Sequence, residues 1–333
     1  MKTAQLSRLV IIIIAFITTI SFSGCKSSTQ KAGNTSDKEE IKGNISISGA
    51  FALYPLTVTW AEEFKKLHPN VTIDISAGGA GKGMADVLSG MVDLAMFSRE
   101  VSEEETAKGA WKLAVAKDAV FPTINAKNPA LQDILAKGLT RDQFLQLFTV
   151  EKQMVWFDFE GISSNEKINV YIRSDACGAA AMWAAFFNKE QEDLKGIGVY
   201  GDPGIADAVK KDKFGVGFNN LIYIYDLKTN QISPGLNIIP IDINENRVID
   251  ASENFYGTMT DAISAIQDGR YPAPPSRNLY LISKGMPENE AILSFLRYIL
   301  TNGQQMITQA GYVELDSETL QSARLKLGIN DAK

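Results

Sequence analysis

Apolar residues recur along the chain with two alternating periods, and this pattern predicts an α/β fold. Residues 44–48 and 71–76 alternate between apolar and polar side chains, which is typical of strands with one buried face. Residues 56–67 and 84–91 repeat apolar side chains every three or four positions, which is typical of helices. With a short strand at residues 93–97, the order is strand, helix, strand, helix, strand. That order predicts a parallel sheet built from βαβ units.

A glycine-rich turn at residues 77–83 (AGGAGKG) leads into the second helix, and Ser98 and Arg99 follow the third strand. In open α/β sheets the carboxyl ends of the strands face the ligand crevice. A tight turn at the start of a helix also offers free backbone N–H groups to an anion. The two segments are therefore expected to line a ligand site. The turn is not a Walker A loop, because Lys82 is followed by Gly83.

The remaining chain continues the alternation of helices and strands and is long enough for two lobes. Ser102 and Glu105 form a predicted capping box, and a strand at residues 168–172 leads to Arg173. Further predicted elements are a helix at 177–188, strands at 214–218 and 221–225, a helix at 255–268, and helices from residue 288 onward.

Residues 1–24 are a predicted signal peptide. Lys2 and Arg8 precede an apolar run over residues 9–20, which is too short to span a bilayer. Ser23-Gly24-Cys25 resembles the lipobox of bacterial lipoproteins, in which cleavage leaves the cysteine as the new N-terminus and lipid is attached to it. The resemblance implies lipidation of Cys25. The alternative is an ordinary secreted protein in which Cys25 is buried.

Residues 25–43 are a predicted lipidated, flexible tether, because residues 26–40 contain no apolar side chain larger than Ala. The full chain carries a net charge of −6. Removal of residues 1–24 leaves 31 basic and 39 acidic residues, a net charge of −8. Such acidity argues against nucleic acid as a partner. Besides Cys25 the only cysteine is Cys177, so no internal disulfide is expected.

From residue 44 to 99 the chain resembles the periplasmic phosphate-binding proteins of bacterial ABC phosphate importers, the PstS-like family. The resemblance continues in residues 117–128 (KDAVFPTINAKN), 139–148 (LTRDQFLQLF), 170–179 (VYIRSDACGA) and 271–283 (YPAPPSRNLYLIS). It implies an α/β, two-lobe, type II periplasmic-binding-protein fold with two crossover strands and an interlobe cleft. Lobe 1 is then expected to comprise residues 44–120 plus 273–333, and lobe 2 residues 121–272.

The resemblance also implies which residues contact the ligand. They are Phe51 and Ala52 in the first loop, Ala80 and Gly81 in the glycine turn, Ser98 after the third strand, and Arg173, Cys177, Gly178 and Ala179 in a fourth segment. Ala80, Cys177 and Ala179 stand where the family has hydroxyl side chains. At about 1–3 kcal/mol for each unpaired phosphate oxygen, three such losses weaken phosphate binding by roughly two to six decades.

Phe51 and Phe97 lie beside the first and third loops, and two interpretations of them stay open. In one, they line a larger and more apolar cleft, where an aromatic group stacks on the rings while Arg173 holds a carboxylate or phosphate group. In the other, both are core residues beside a phosphate site made from backbone donors.

Cys177 is the one candidate nucleophile. At a helix start near Arg173, its thiol is expected to have a lowered pKa. The only histidine, His68, is predicted at the solvated end of another helix, so Cys177 is expected to lack an imidazole partner. The prediction is therefore a protein that is not an enzyme, with no catalytic residue, no metal site and no cofactor.

Together the residues and the resemblance predict a lipid-anchored, extracytoplasmic solute-binding protein, in the periplasm or at the cell surface. It is expected to be a monomer that binds phosphate or a related oxyanion for an ABC permease and is attached to the membrane through its N-terminal lipid. Two alternatives stay open. One is the same fold binding a small anionic organic or aromatic ligand, and the other is a non-transport sensor or surface-assembly role with a vestigial cleft.

Overall fold

The computed structural model describes residues 40–330 of the 333-residue chain. The predicted signal peptide (1–24), Cys25 and most of the predicted tether (25–43) lie outside the described residues. The first strand begins at Gly43, so the ordered sheet starts where the tether was expected to end.

Eleven strands lie within the described residues: β1 (Gly43–Gly49), β2 (Val71–Ala77), β3 (Leu94–Phe97), β4 (Ala110–Asn125), β5 (Asn169–Arg173), β6 (Ile197–Val199), β7 (Gly215–Asn220), β8 (Tyr225–Asp226), β9 (Gln231–Ile232), β10 (Leu236–Ile238) and β11 (Ser276–Lys284). Ten α-helices lie between and after them: α1 (Tyr54–Leu67), α2 (Ala80–Ser89), α3 (Glu103–Ala107), α4 (Leu131–Lys137), α5 (Arg141–Thr149), α6 (Gly178–Ala185), α7 (Gly201–Lys211), α8 (Met259–Gln267), α9 (Glu290–Leu300) and α10 (Ser317–Lys326). The prediction of an α/β fold is confirmed.

The main sheet has the strand order β2-β1-β3-β11-β4-β7-β5-β6, and β10 pairs with β4 beside this path. β1 pairs in parallel with β2 and β3, while β5 pairs in parallel with β6 and β7. β4 and β11 are antiparallel to each other and join these two parallel halves. The 16-residue β4 pairs with β11 over Ala110–Ala119 and with β7 over Val120–Ile124. β4 therefore crosses from one half of the sheet to the other, and β11 brings the chain back to the first half.

Each half of the sheet is covered by its own hydrophobic core. The first core draws on residues 45–116 and 279–327, with Trp60, Phe64, Phe97 and Phe295 fully buried. The second core draws on residues 119–271 and Val313, with Phe121, Phe144, Trp156 and Trp183 fully buried. The predicted lobe boundaries at residues 120 and 272 stay predictions.

Local sequence explains several helix boundaries. Pro55 occupies the first turn of α1, whose buried face is formed by Leu56, Trp60 and Phe64. Ser102 and Glu105 form the predicted capping box of α3, with both reciprocal hydrogen bonds present. These two predictions from the sequence are confirmed.

Two predicted elements differ from the structure. Residues 221–225 were predicted as a strand, but Leu221–Tyr223 form a 3-10 turn closed by a hydrogen bond from the Ile224 N–H to the Leu221 carbonyl. Leu221 packs in the second core and Ile222 packs against the first, so the apolar run is explained by a turn between two cores. The helix predicted from residue 255 begins at Met259, because Thr258 caps it by accepting a hydrogen bond from the Asp261 N–H.

Candidate functional site

The structure brings the four predicted ligand segments together where the carboxyl ends of β1–β3 face the carboxyl end of β5, which runs in the opposite direction. Gly49, Ala77 and Phe97 end the parallel strands β1, β2 and β3, and Arg173 ends β5. The loop with Phe51 and Ala52 follows β1, Ala80 and Gly81 begin α2, and Ser98 follows β3. Cys177 caps α6, whose first residues are Gly178 and Ala179. All nine predicted contact residues thus occupy strand ends or helix starts, where an anion is most readily held.

The segments from the first core touch the segments from the second core directly. The Gly81 N–H donates a 3.1 Å hydrogen bond to the Ala176 carbonyl. A Cβ placed on Gly178 would lie 2.2 Å from the Ser98 carbonyl oxygen, and one on Gly79 would lie 2.7 Å from an Asp175 carboxylate oxygen. Only glycine permits such close approach at these positions. The cleft is therefore closed around the predicted ligand residues.

Arg173 lies at the centre of the closed cleft, with a side chain only 1% exposed. Its Nε donates to Asp175 Oδ1 at 2.8 Å and its Nη2 to Asp175 Oδ2 at 2.5 Å, while its Nη1 donates to Asp202 Oδ2. Burial acts to lower the pKa of Arg173, but the carboxylates of Asp202 and Asp175 hold that pKa above its ordinary value. Burial likewise acts to raise the pKa of Asp175, and Arg173 holds it below its ordinary value. Arg173 and Asp175 thus stabilise each other's charged forms.

A second buried arginine extends this cluster. Arg277, on β11, donates from Nε to the Ser98 carbonyl at 3.3 Å and from Nη2 to Asn220 Oδ1. Asn220 in turn donates to Asp202 Oδ1 at 2.5 Å, and Arg277 Nη2 lies 3.5 Å from Asp118 Oδ2. A continuous polar network therefore runs from the crossover strands to Arg173.

Sequence reasoning missed Asp202, Asn220, Arg277 and Asp118. Asp202 stands in the first turn of α7 directly after a short strand, the same context that identified the glycine turn. Arg277 and Asp118 are buried charges that need partners, but their strands also carry Ser276, Asn278 and Lys117, so the sequence alone does not single them out. The position of Asp202 after a strand was therefore the one available signal.

Cys177 differs from its predicted chemistry. Its Sγ accepts a hydrogen bond from the Ala180 N–H at 3.4 Å, and the residue is 6% exposed. Burial raises the pKa of the thiol to about 12 even though Arg173 opposes that rise. The prediction of a lowered pKa for Cys177 was therefore wrong, because burial raises the pKa of the thiol by more than the helix start and Arg173 lower it. His68 is the C-cap of α1, and its ring centroid lies 4.5 Å from that of Phe64, a residue of the first core.

The two phenylalanines have separate roles. Phe97 is fully buried in the first core, so the core interpretation applies to it. Phe51 is half-buried, with its ring centroid 5.5 Å from the Arg173 guanidinium carbon and 5.7 Å from the ring of Tyr200. Phe51 therefore forms one wall of the cleft beside Arg173.

A cavity of about 360 Å³ opens beside the contact between the two halves. Its lining includes Gly81, Arg99, Ala176, Cys177 and Gln191. Arg99 is engaged by Glu105 at 2.7 Å and stacks over the ring of Phe97. Across residues 40–330, no group of three or more His, Cys, Asp or Glu side chains is arranged to hold a metal ion.

Comparison with known proteins identifies the class. The profile of the PBP superfamily domain matches residues 29–302, which is most of the chain. The chain therefore belongs to the PBP superfamily, and within it is PstS-like, as the resemblance implied. One relative is the phosphate-binding protein PstS of Staphylococcus haemolyticus, 23% identical over 290 residues, or 84% of each chain. Another is the phosphate-binding protein PstS of Bacillus subtilis, 27% identical over 227 residues, covering 68% of this chain and 73% of the relative.

Solved structures show the same fold. A structure from Clostridium perfringens, described as a candidate phosphate ABC transporter substrate-binding protein with bound phosphate, has a TM-score of 0.66 and 21% identity. It covers 82% of this chain and is itself covered completely. An ABC-type phosphate transport receptor from Vibrio cholerae has a TM-score of 0.58 and 18% identity, with 81% of this chain and all of the receptor covered. The predicted two-lobe, type II periplasmic-binding-protein fold is confirmed. Among the helices between residues 40 and 330, none has the length and apolar character needed to cross a bilayer.

Proposed function

We propose that the protein is a lipid-anchored, extracytoplasmic solute-binding protein that binds phosphate or a related oxyanion in the cleft between its two halves. It is not an enzyme, acts as a monomer, and passes the anion to an ABC permease. The observation that carries the proposal is that Phe51 lies against the buried Arg173, while Ser98 lies against Gly178 at the start of α6 and Gly81 is bonded to Ala176.

Backbone donors support an anion at this place. The N–H groups of Phe51 and Ala52 donate no hydrogen bond within the described residues. At the start of α6 the Ala180 N–H is taken by Cys177 Sγ, whereas the N–H groups of Gly178 and Ala179 donate none within residues 40–330. Ala80 and Ala179 are buried and contribute no hydroxyl. An oxyanion would therefore be held chiefly by main-chain N–H groups, Ser98 and Arg173, which fits the positive ends of helices α2 and α6.

Calorimetric titration of inorganic phosphate into the full chain, purified in mild detergent, tests the proposal. The protein is first unfolded and refolded to remove carried-over anion. We expect a dissociation constant in the micromolar range or tighter. Arg173→Ala should abolish binding, whereas Arg270→Ala, which removes an exposed arginine paired with Asp268, should leave it unchanged. If the folded protein binds no phosphate, phosphate is ruled out as the ligand.

A second candidate is a small anionic organic ligand in the same cleft. It is favoured by the missing hydroxyls and by the Phe51 ring beside Arg173, on which an aromatic group could stack. Native mass spectrometry of the protein before refolding, followed by identification of the released molecule, separates this candidate from inorganic phosphate.

A further inference from the structure

Three of the five N–H groups of Arg173 are engaged before any ligand arrives. A guanidinium carries five N–H groups on three nitrogens. Asp175 accepts from Nε and Nη2, and Asp202 accepts from Nη1, so every nitrogen of Arg173 already bonds to a carboxylate. An incoming oxyanion finds only one remaining N–H on each terminal nitrogen.

Asp202 is firmly held in this position. Its second carboxylate oxygen accepts from Asn220 Nδ2 at 2.5 Å, and its side chain is 2% exposed. It lies in the first turn of α7, where the helix dipole stabilises a negative charge. The Asn219 side chain also donates to the Asp202 carbonyl at 2.9 Å. Displacing the carboxylate from Arg173 therefore requires a ligand that replaces a well-organised ion pair.

Asp202 and Arg173 belong to the same half of the molecule. Arg173 ends β5 and Asp202 begins α7, and both elements pack around β7. Their ion pair thus does not depend on closure of the cleft. Any anion that enters the open cleft meets an arginine that is already occupied.

The buried charges around the cleft also carry a negative excess. Two arginines, Arg173 and Arg277, face three aspartates, Asp118, Asp175 and Asp202. Each of these side chains is at most 11% exposed, so solvent screens their interactions weakly. Above about pH 6, where Asp118 is ionised, an anion placed here meets one uncompensated negative charge, and removal of the Asp202 charge would leave the cluster neutral.

We infer that Asp202 determines the anion affinity of the cleft, as an internal carboxylate that competes with the ligand for Nη1 of Arg173. This inference rests on the proposed function, because it takes Arg173 as the ligand's principal charged donor. It assigns to Asp202 the discrimination between anions that can displace a carboxylate and anions that cannot.

Asp202→Asn tests the inference because the amide keeps the shape of the side chain and removes its charge. Phosphate is titrated calorimetrically into the wild-type full chain, Asp202→Asn and Asp207→Asn. Asp207 is an exposed residue of the same helix, paired with Lys211, so its variant loses the same charge away from the cleft. We expect Asp202→Asn to bind phosphate at least about tenfold more tightly than wild type, because a hydrogen bond to a charged group becomes free. Asp207→Asn should stay within about twofold of wild type.

The double variant Arg173→Ala/Asp202→Asn shows whether the gain passes through the arginine, and it should lose the gain. Retention of the gain in the double variant would overturn the inference. Cooperative thermal unfolding verifies that each variant is folded, and Asp202→Ser replaces Asp202→Asn if the amide prevents folding.

The outcomes separate the inference from the proposed function. Binding by wild type with no tightening in Asp202→Asn overturns the inference and leaves the proposed function standing. Binding by Asp202→Asn alone supports the inference and retires phosphate as the wild-type ligand. Absence of binding in both folded proteins overturns both.

Discussion

The thiol of Cys177 shows how strongly burial controls chemistry at the scale of one residue. It stands at a helix start, yet it is 6% exposed and its pKa is raised to about 12. At pH 8 its thiolate fraction is then about a thousandfold below that of a free cysteine. In the full chain with Cys25→Ser, we expect native Cys177 to react with Ellman's reagent at least about a thousandfold more slowly than after unfolding in urea.

A cysteine in the same turn provides the control. Ser174 is exposed, so Ser174→Cys in a Cys177→Ser background should react rapidly in the native protein. Fast labelling of native Cys177 would show that the thiol is accessible and ionised, and the reactive interpretation would return.

The residues of the site were predictable only in part. Arg173, Ser98 and Gly178 could be identified because they lie in segments that resemble a family and end strands or begin helices. The engagement of Arg173 by Asp202 could not, because these residues are 29 positions apart and meet through the packing of β5 and α7. The prediction of a lowered pKa for Cys177 failed for the same reason, since desolvation depends on neighbours that only the tertiary structure supplies.

At the scale of elements, the two crossover strands meet at a buried pair of opposite charges. Asp118 on β4 lies directly opposite Arg277 on β11. Asp118 Oδ2 and Arg277 Nη1 have no hydrogen-bond partner within residues 40–330, although Asp118 Oδ2 lies 3.5 Å from Arg277 Nη2. Burial raises the pKa of Asp118 to about 6, and Arg277 only partly opposes this. The strands that join the two halves therefore carry a carboxyl group that titrates near neutrality.

The raised pKa of Asp118 determines the sign of a pH effect on stability. The folded protein keeps the proton on Asp118 up to about pH 6, whereas the unfolded chain loses it near pH 3.8. Stability from this group is present below pH 3.8 and is lost as the pH rises through 6. Asp118→Asn removes that loss, so its free energy of unfolding relative to wild type should rise between pH 4 and pH 7.5, by at most about 3 kcal/mol. Urea unfolding at both pH values measures the difference.

The change across pH, rather than the offset at one pH, is the diagnostic quantity, since Asp118→Asn also alters the polar contacts of this buried side chain at every pH. Asp207→Asn is the control. The Lys211 hydrogen bond lowers the pKa of Asp207, so the stability from that carboxylate is lost only as the pH falls below 3.8, and the relative stability of Asp207→Asn should stay nearly constant between pH 4 and pH 7.5. A relative stability of Asp118→Asn that stays constant or falls with pH would contradict the assignment.

Elements with strong local signals were predictable, and elements that depend on packing were not. The capping box of α3 and the apolar face of α1 are formed by residues that lie close together in sequence. The run at residues 221–225 has an alternating pattern, but Leu221 packs in the second core and Ile222 packs against the first. A 3-10 turn allows both contacts. Periodicity indicates that residues are buried, but only the tertiary structure shows which residues they pack against.

At the scale of the whole molecule, the division into two cores was predictable and the closed contact between them was not. The order of strands and helices, together with the family resemblance, implied two halves joined by crossover strands. Closure depends on contacts such as Gly81 to Ala176 and Ser98 to Gly178, between residues that are 80 or more positions apart. No periodicity within a segment encodes such contacts.

The lipid anchor is a prediction about the whole chain, because it decides where both halves work. A lipidated Cys25 would bind the protein to a membrane, since each buried CH₂ of an acyl chain contributes about 0.8 kcal/mol and two chains anchor stably. The net charge of −8 predicted after cleavage gives no attraction to an anionic lipid surface that could replace the lipid. We therefore expect the wild-type protein in the membrane fraction of its bacterial host and Cys25→Ser in the soluble fraction.

Cys177→Ser is the matched control, because it removes the chain's other cysteine from a buried site and should leave the protein in the membrane fraction. Metabolic labelling with a radioactive fatty acid should mark wild type and Cys177→Ser but not Cys25→Ser. If wild type takes up no label and is found in the soluble fraction, the cysteine is not lipidated. Residues 1–24 would then be a secretion signal alone, and the two-core unit would act as a freely diffusing binding protein.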